Sequence, residues 1–245
     1  MFSGRLFVRE GRISLQIAGC TGVFMDEELR RLENMKQYEN ALYERGIRLV
    51  AGTDEVGRGP LAGPVVAAAV ILPPDFLLPG VDDSKKVPPK KRRELSDRIK
   101  ERAVTWAVGM VFPPYLDDIN ILNASREAMR IAVTELAISP EHVIVDAVRI
   151  PGLHTEQTPL IKGDSLSISV ACASIIAKVE RDLVMDALDD IYPGYGFARH
   201  KGYATREHLQ ALLHKGPCPV HRVSFEPVKS MMGGGPHANQ GLLFE

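Results

Sequence analysis

The 245-residue sequence predicts an α/β domain built on a mixed sheet that is flanked by helices. Apolar runs bounded by glycine and proline cover residues 47–52 and 65–72, as expected of strands buried in a sheet. Further along the chain, strand-like and helix-like segments alternate, which is typical of α/β folds. Residues 166–190 give the strongest helix signal, because apolar side chains recur there every three or four positions.

An N-terminal arm precedes this domain over residues 1–46. Residues 1–24 are mixed in character and glycine-rich, and they predict a weakly strand-like or unstructured leader. Residues 25–46 space their apolar side chains as an amphipathic helix does, with Asp26 as its N-cap and Gly46 as its C-terminal stop. This helix either packs against the main domain or reaches away from it, and an alternative start at Met25 would leave it intact.

The main domain is predicted to span residues 47–228. Its other elements are a strand over 103–112, a helix over 119–137, a strand over 142–145 and a C-terminal helical part with a helix over 205–214. Thr205 is the expected N-cap of that last helix, because its hydroxyl can accept a hydrogen bond from a backbone N–H. Residues 229–245 have the glycine-rich composition of a flexible tail.

Composition excludes several classes of protein. With 45% hydrophobic and 25% charged residues, the chain is neither collagenous nor disordered. No run approaches the ~20 apolar residues of a membrane span, and the N-terminus lacks the apolar core of a signal peptide. The three cysteines, Cys20, Cys172 and Cys218, form no CxxC pair. Reduced thiols in a cytoplasmic protein are therefore expected, rather than a disulfide framework or a zinc ribbon.

The formal net charge of −1, taken alone, argues against a nucleic-acid binder. The charge is unevenly distributed, however. Residues 84–102 hold nine Lys and Arg against three Asp and Glu, and residues 197–222 hold five against one. Such basic segments suit a phosphate backbone, and a solvated helix face is a compatible alternative for residues 90–102. Residues 197–222 also hold four histidines, whose spacing does not indicate a structural zinc site.

Four acidic residues lie in apolar or glycine-rich surroundings, where a carboxylate is costly unless it serves a function. They are Asp54, Glu55, Asp146 and Asp164. Carboxylates that converge at strand ends repel one another, and divalent cations relieve that repulsion. Any one of these residues alone is more often a turn former or, at Asp164, a helix N-cap. Asp54 and Glu55 can share a site only where the strand ends or twists, because neighbouring strand residues point to opposite faces.

The triplet Gly57-Arg58-Gly59 follows the acidic pair. Glycine lets the backbone approach a ligand closely, and free N–H groups can then bind a hydroxyl or a phosphate. By itself the triplet is a weak signal that more often marks a turn. It is not a P-loop, since no Gly-Lys-Ser/Thr follows it.

Seven sequence blocks between Ile47 and Val228 together resemble bacterial type 2 ribonuclease H, the ribonuclease HII family. In order they are TDEVGRGPLAGPVVAAAVIL, DDSKK, INILNASREAM, VIVDA, IKGDSLSISVACASIIAKVERD, HKGYATREH and GPCPVHRVSF. The resemblance implies a ribonuclease H-like fold, hydrolysis of the RNA strand of RNA–DNA hybrids, and incision on the 5′ side of a ribonucleotide embedded in duplex DNA. It also implies a two-ion site for Mg²⁺ or Mn²⁺, and we expect products with 5′-phosphate and 3′-hydroxyl ends.

Site residues carry over from the motifs of the family position by position. The residues that match its four metal-binding, catalytic acids are Asp54, Glu55, Asp146 and Asp164. Those that match the motif whose backbone senses the ribose 2′-hydroxyl are Gly57, Arg58 and Gly59. Ser84 and Lys85 match a phosphate-contacting turn, and Tyr203 matches the tyrosine that stacks on the following deoxyribose.

Other functions are weighed against this one. A different nuclease or strand transferase of the same fold class, such as a resolvase, would share the carboxylates but has no need of the glycine triplet and Tyr203. A non-catalytic nucleic-acid-binding module would keep the basic segments but need not retain four acids. The C-terminal residues Gln240–Phe244 resemble the peptide by which proteins bind the bacterial sliding clamp, although a tail without function is favoured. We expect a monomer with no membrane contact.

Overall fold

The structure is a computed structural model that describes residues 5–9, 12–16 and 20–233, with side chains from residue 26 to residue 232. The N-terminal elements are β1 (Arg5–Arg9), β2 (Arg12–Gln16), α1 (Cys20–Asn34) and α2 (Gln37–Glu44). The strands that follow are β3 (Val50–Val56), β4 (Val65–Ile71), β5 (Thr105–Val111), β6 (His142–Asp146) and β7 (Glu156–Leu160). The helices that follow are α3 (Pro89–Arg102), α4 (Tyr115–Thr134), α5 (Gly163–Leu166), α6 (Ile168–Ile191), α7 (Phe197–His200), α8 (Arg206–Lys215) and α9 (Val228–Gly233). Among these described helices, none has the length and hydropathy to cross a membrane.

The strands β3 to β7 form one mixed sheet in the order β5-β4-β3-β6-β7, which confirms the predicted fold class. β4 is antiparallel to β3 and β5, whereas β3, β6 and β7 run parallel. Thr53 on β3 pairs with Val145 on β6. The next residues along these two strands are Asp54 and Asp146, which therefore lie side by side at the same edge of the sheet.

Helices cover both faces of the sheet, and all seven residues of β4 are buried between them. Ala68 and Val70 pack in a cluster with α6 and α3, whereas Ala67 packs on the other face in a cluster with α4. On β3, a Cβ added to Gly52 would lie 2.2 Å from the backbone carbonyl carbon of Ser169. Glycine at this position therefore allows α6 to lie directly against the strand that carries the first acidic pair.

The arm differs from the single helix predicted over residues 25–46, because it contains two helices. α1 already begins at Cys20, so Asp26 lies inside the helix and the prediction that it is an N-cap was wrong. Gly46 follows the end of α2 with φ +86°, a conformation that favours glycine, and its predicted role as the stop is confirmed. The strands β1 and β2 pair in antiparallel orientation within the predicted leader.

Tertiary contacts explain why the arm divides into two helices between Asn34 and Gln37. Between the two arm helices, the carbonyl of Met35 accepts a hydrogen bond from the backbone N–H of Ile168 at 2.9 Å. Lys36 donates from its ammonium to the carbonyl of Pro74 at 2.7 Å. Leu32 and Met35 are buried in the cluster that contains α6. The arm is therefore packed against the main domain.

Other boundaries also shift relative to the sequence prediction. β3 extends to Val56, so Asp54 and Glu55 lie within the strand rather than directly after it. α4 begins at Tyr115 and is interrupted at Asn120, which has φ +64°. β7, α7 and α9 were not predicted, and α9 makes residues 229–233 helical instead of flexible. The rest of the predicted tail, residues 234–245, lies outside the described residues.

Candidate active site

A cleft of about 330 Å³ lies at the edge of the sheet where β3 and β6 end. All ten residues that the family resemblance singled out line this cleft: Asp54, Glu55, Gly57, Arg58, Gly59, Ser84, Lys85, Asp146, Asp164 and Tyr203. They come from segments up to about 150 positions apart in the chain, and the fold brings them together.

Three of the four acidic residues form a compact group. Asp54, Glu55 and Asp146 each offer one carboxylate oxygen, and these oxygens all lie within 4.8 Å of one another. Asp54 is 5% exposed, and its carboxylate accepts a hydrogen bond from the N–H of Glu55 at 2.7 Å. Asp146 accepts one from the N–H of Gly163, also at 2.7 Å. The side chain of Asp54 thus bends along the backbone toward Glu55. This bend allows two adjacent strand residues to share one site.

Asp164 lines the same cleft from α5 but lies outside the compact group. Its carboxylate accepts a hydrogen bond from the hydroxyl of Ser165 at 3.4 Å. The alternative that Asp164 is the N-cap of the long helix is wrong. The N-cap of α6 is Ser167, whose side chain accepts the hydrogen bond from the N–H of Val170. The carboxylate of Asp164 is therefore not consumed in capping that helix.

The pKa values of all four carboxyl groups are raised, and burial is the largest cause in each case. The pKa of Asp54 is raised well above its usual value, and repulsion from Glu55 and Asp146 adds to the effect of burial. Arg58 opposes the rise at Glu55, and Asp164 adds to the rise at Asp146. A positive charge bound beside these groups would therefore stabilise their ionised forms.

A hard divalent cation fits this group of donors. The donors are carboxylate oxygens, which Mg²⁺ and Mn²⁺ prefer. Within the described residues, Oε2 of Glu55 is buried and has no hydrogen-bond partner. A buried oxygen without a donor is costly, and coordination to a cation would satisfy it.

The glycine triplet forms the wall of the cleft next to the acids. Gly57 has φ +91°, and a Cβ there would lie 2.2 Å from Nε of Arg181, so only glycine fits without strain. Arg58 lies 3.4 Å from a carboxylate oxygen of Glu55. A Cβ added to Gly59 would lie 3.8 Å from the ring of Tyr203, which is 48% exposed. The loop and the aromatic ring thus form one continuous surface.

Ser84 and Lys85 lie in a turn on the cleft wall. Ser84 is buried, and its hydroxyl accepts a hydrogen bond from the hydroxyl of Ser174 at 2.9 Å. Its carbonyl accepts one from Nε of Arg92, also at 2.9 Å. Lys85 is exposed and lowers the pKa of Asp146, although less than burial raises it. The turn is thus fixed at its serine and leaves its lysine free to meet a ligand.

Three further cleft residues on α6 were not predicted: Ser174, Lys178 and Arg181. They lie four and three positions apart and therefore share one face of the helix. The apolar spacing that predicted the helix drew attention to its other face. A polar stripe at the same helical spacing was the signal that could have identified them.

The two basic segments present less free charge than their composition suggested. The ion pairs between α3 and α6 are Arg92–Asp182, Arg93–Asp186 and Lys100–Glu180. In the second segment, Lys201 pairs with Asp186, and Arg222 is fully buried and cannot reach a phosphate in solution. Part of the basic charge therefore serves helix packing.

A mixed sheet that places a cluster of carboxylates beside an exposed lysine and an aromatic side chain defines a metal-dependent nuclease of the ribonuclease H-like fold class. Solved structures agree with this fold. Ribonuclease H2 of Pyrococcus horikoshii matches with a TM-score of 0.63 and 26% identity over 75% of this chain and 97% of that one. The ribonuclease HII of Archaeoglobus fulgidus, solved in a complex with PCNA, matches with a TM-score of 0.62 and 28% identity over 73% and 95%.

The sequence comparisons identify the family. The profile of the family described as Ribonuclease HII matches residues 51–228. Ribonuclease HII of Syntrophomonas wolfei subsp. wolfei is 59% identical over 222 residues, covering 91% of this chain and 87% of that protein. The Moorella thermoacetica protein is 53% identical over 199 residues, covering 81% and 97%. The chain belongs to the ribonuclease HII family and is a metal-dependent endoribonuclease that acts on RNA–DNA hybrids. The net charge of −1, taken alone, argued against a nucleic-acid binder, and that inference was therefore wrong.

Proposed function

We propose that this ribonuclease incises duplex DNA on the 5′ side of a single embedded ribonucleotide, in addition to cutting the RNA strand of hybrids. One observation carries the proposal. The carboxylate group, the glycine triplet and Tyr203 line the same cleft. A cleft that places free backbone groups beside the cation site can test a ribose 2′-hydroxyl at the bond to be cut.

Each set of residues has a distinct role in this proposal. Asp54, Glu55, Asp146 and Asp164 hold two Mg²⁺ or Mn²⁺ ions. When bound, such ions supply an activated water and neutralise the leaving 3′ oxygen, which leaves 5′-phosphate and 3′-hydroxyl ends. The backbone of Gly57–Gly59 binds the 2′-hydroxyl. Ser84 and Lys85 hold a phosphate, and Tyr203 stacks on the deoxyribose that follows.

The test is cleavage of a duplex with one ribonucleotide in the presence of Mg²⁺ or Mn²⁺. Wild type should cut on the 5′ side of the ribonucleotide. Asp146→Asn should reduce kcat by at least about a hundredfold, because it removes an anionic ligand of the cation site. Asp190→Asn is the matched control, since this exposed aspartate of α6 lies outside the cleft. Absence of cleavage by wild type, or equal cleavage by wild type and Asp146→Asn, contradicts the proposal.

A sliding clamp is the proposed protein partner of Gln240–Phe244, a segment that lies outside the described residues. The sequence Gln-Gly-Leu-Leu-Phe supports this proposal, and so does the Archaeoglobus fulgidus relative solved with PCNA. Deletion of residues 240–245 should abolish binding to purified bacterial clamp in a pull-down while leaving nuclease activity unchanged. Equal binding by the truncated and full chains supports the alternative that the tail has no function.

A further inference from the structure

Two arginines are buried beneath the loop that contains the glycine triplet. Arg222 is 0% exposed and Arg181 is 1% exposed. In the described part of the chain neither guanidinium forms an ion pair with a carboxylate, and both bind backbone carbonyls instead. A buried charge without a counterion is costly, so these arginines require an explanation beyond packing.

Arg222 fixes three carbonyl groups of one loop. Its Nη1 donates to the carbonyl of Arg58 at 2.9 Å, and its Nη2 donates to the carbonyl of Gly57 at 2.5 Å. Nη2 and Nε also donate to the carbonyl of Gly63, at 2.9 and 3.1 Å. The planar guanidinium holds these acceptors in a defined relative orientation, which the single ammonium of a lysine cannot do.

The orientation of the carbonyls sets the orientation of the amides. In a planar trans peptide, the carbonyl of one residue and the N–H of the next point in opposite directions. The described cis peptides lie elsewhere in the chain. Because the carbonyls of Gly57 and Arg58 point toward Arg222, the N–H groups of Arg58 and Gly59 point away from it. Across the described residues neither N–H has a hydrogen-bond partner, and both residues line the cleft.

Arg181 fixes the same loop relative to Tyr203. It donates to the carbonyls of Ala62 at 3.3 Å and Pro64 at 3.1 Å, at the far end of the loop. It also donates to the carbonyl of Lys201 at 3.1 Å, two residues before Tyr203. The two arginines together therefore determine where the free amides lie relative to the aromatic ring.

We propose that Arg222 is a positioning residue that turns the N–H groups of Arg58 and Gly59 toward the ribose 2′-hydroxyl, with Arg181 setting their distance from Tyr203. This inference rests on the proposed function, because it assumes that these amides test for ribose. It separates two properties of the enzyme. Discrimination between ribose and deoxyribose depends on Arg222, whereas cation binding depends on carboxylates held by β3 and β6.

The experiment compares two equilibrium constants in Arg222→Lys. The first is the ratio of affinities for a duplex with one ribonucleotide and for the all-DNA duplex, measured by fluorescence anisotropy with Ca²⁺ as the cation. This ratio should fall roughly five- to thirtyfold, as expected from losing one or two neutral hydrogen bonds. The second is the affinity for Mn²⁺ alone, measured by calorimetry, which should remain unchanged.

Leu212→Ala is the matched control, because Leu212 is buried in the same region, in the cluster that contains Phe225, but binds none of these carbonyls. It should lower the melting temperature and leave the discrimination ratio unchanged. If Arg222→Lys keeps the wild-type ratio, the inference is overturned and the proposed function stands. Loss of Mn²⁺ binding in Arg222→Lys, or an equal loss of discrimination in Leu212→Ala, shows a general structural role and also overturns it. A wild type that does not discriminate refutes the proposed function itself.

A second measurement needs no variant. In ¹⁵N-labelled wild type, the amide resonances of Arg58 and Gly59 should shift on addition of the ribonucleotide-containing duplex and should shift less with the all-DNA duplex. Equal shifts with both duplexes would show that these amides do not contact the 2′-hydroxyl, and the inference would be overturned even if Arg222→Lys failed to fold.

Discussion

Glu39 of the N-terminal arm binds the start of the helix that lies against the catalytic strand, and its replacement should measurably destabilise the protein. The side chain is 2% exposed. One carboxylate oxygen accepts hydrogen bonds from the hydroxyl of Ser167 at 2.6 Å, the hydroxyl of Ser169 at 2.5 Å and the N–H of Ser169 at 3.1 Å. Ser167 is the N-cap of α6, so the arm contributes a negative charge at the positive end of that helix.

The size of the effect follows from these contacts. In Glu39→Ala the hydroxyls of Ser167 and Ser169, whose oxygens are 3.1 Å apart, can form a hydrogen bond with each other. The N–H of Ser169 loses its acceptor. An unsatisfied buried N–H costs about 1–3 kcal/mol, and the lost interaction with the helix dipole adds about 1 kcal/mol. Removal of a buried charge returns part of this cost. We therefore expect a net loss of about 2–3 kcal/mol in the free energy of unfolding, or about 5–10 °C in Tm for a chain of this length.

Urea denaturation and thermal melting at neutral pH provide the assay. Glu39→Gln keeps an oxygen acceptor and should lose only about 1 kcal/mol. Glu44→Ala is the control, because Glu44 is an exposed residue of α2, the helix that contains Glu39. Its replacement should change stability by no more than about 0.5 kcal/mol. The reasoning is refuted if Glu39→Ala is as stable as Glu44→Ala.

Three further predictions concern the cleft and the helices behind it. Gly57→Ala should lower kcat/KM on the embedded-ribonucleotide duplex roughly ten- to a hundredfold, because backbone strain of about 1–3 kcal/mol and a steric clash both distort the loop. The control is Gly152→Ala, which has φ +72° but nothing within 4 Å of the added Cβ, and it should leave activity unchanged. His208 and His221 are two of the buried histidines. Burial, followed at His221 by repulsion from His208, lowers the pKa of each to about 4. The stability that these two histidines contribute should be complete above about pH 6.5 and fall as the pH drops toward 4, by roughly 2 kcal/mol per histidine at pH 5, because the unfolded chain takes up protons first. The raised carboxyl pKa values act in the opposite direction, so the measurement compares wild type with His208→Asn/His221→Asn; an equal change in urea midpoint between pH 7.5 and pH 5 in both proteins would contradict this. Burial, and after it mutual repulsion, raises the carboxyl pKa values, and a bound cation offsets both effects. Mg²⁺ or Mn²⁺ at a hundred times its Kd should therefore raise Tm by about 5–10 °C near pH 8, less at pH 5.5, where protons compete, and much less in Asp54→Asn. Equal shifts in wild type and variant would refute a cation site at this residue.

The sequence predicted those parts of the site that depend on local pattern. Asp146 ends a short apolar strand and Asp54 follows another apolar run, so the sequence predicted that both carboxylates converge at strand ends. The parallel pairing that brings them to one edge of the sheet is known only from the structure. The strand boundary was displaced, because Ile47 and Leu49, on either side of Arg48, are apolar like the residues of β3 and so hid its true start at Val50. The sharing of one site by Asp54 and Glu55 needed the bend of the Asp54 side chain, which no spacing rule contains.

The residues that sequence reasoning missed act through contacts between distant parts of the chain. Glu39 reaches a helix start 128 to 130 positions away. His208 and His221 contact each other through their Nε2 atoms at 3.0 Å, in a cluster that their spacing gave no reason to expect. Each was predicted only as part of a helix or a basic segment. Their roles follow from burial and hydrogen-bond partners, which a single sequence does not reveal.

The hydrogen bond from Arg222 to the carbonyl of Gly57 spans 165 positions of the chain. During translation, the last of the four acidic residues, Asp164, emerges from the ribosome well before residue 222. A nascent chain therefore contains every proposed cation ligand while the carbonyls of its glycine loop still lack their guanidinium partner. Under the proposed roles, synthesis in this order supplies the cation ligands before the guanidinium that orients the amides for telling ribose from deoxyribose.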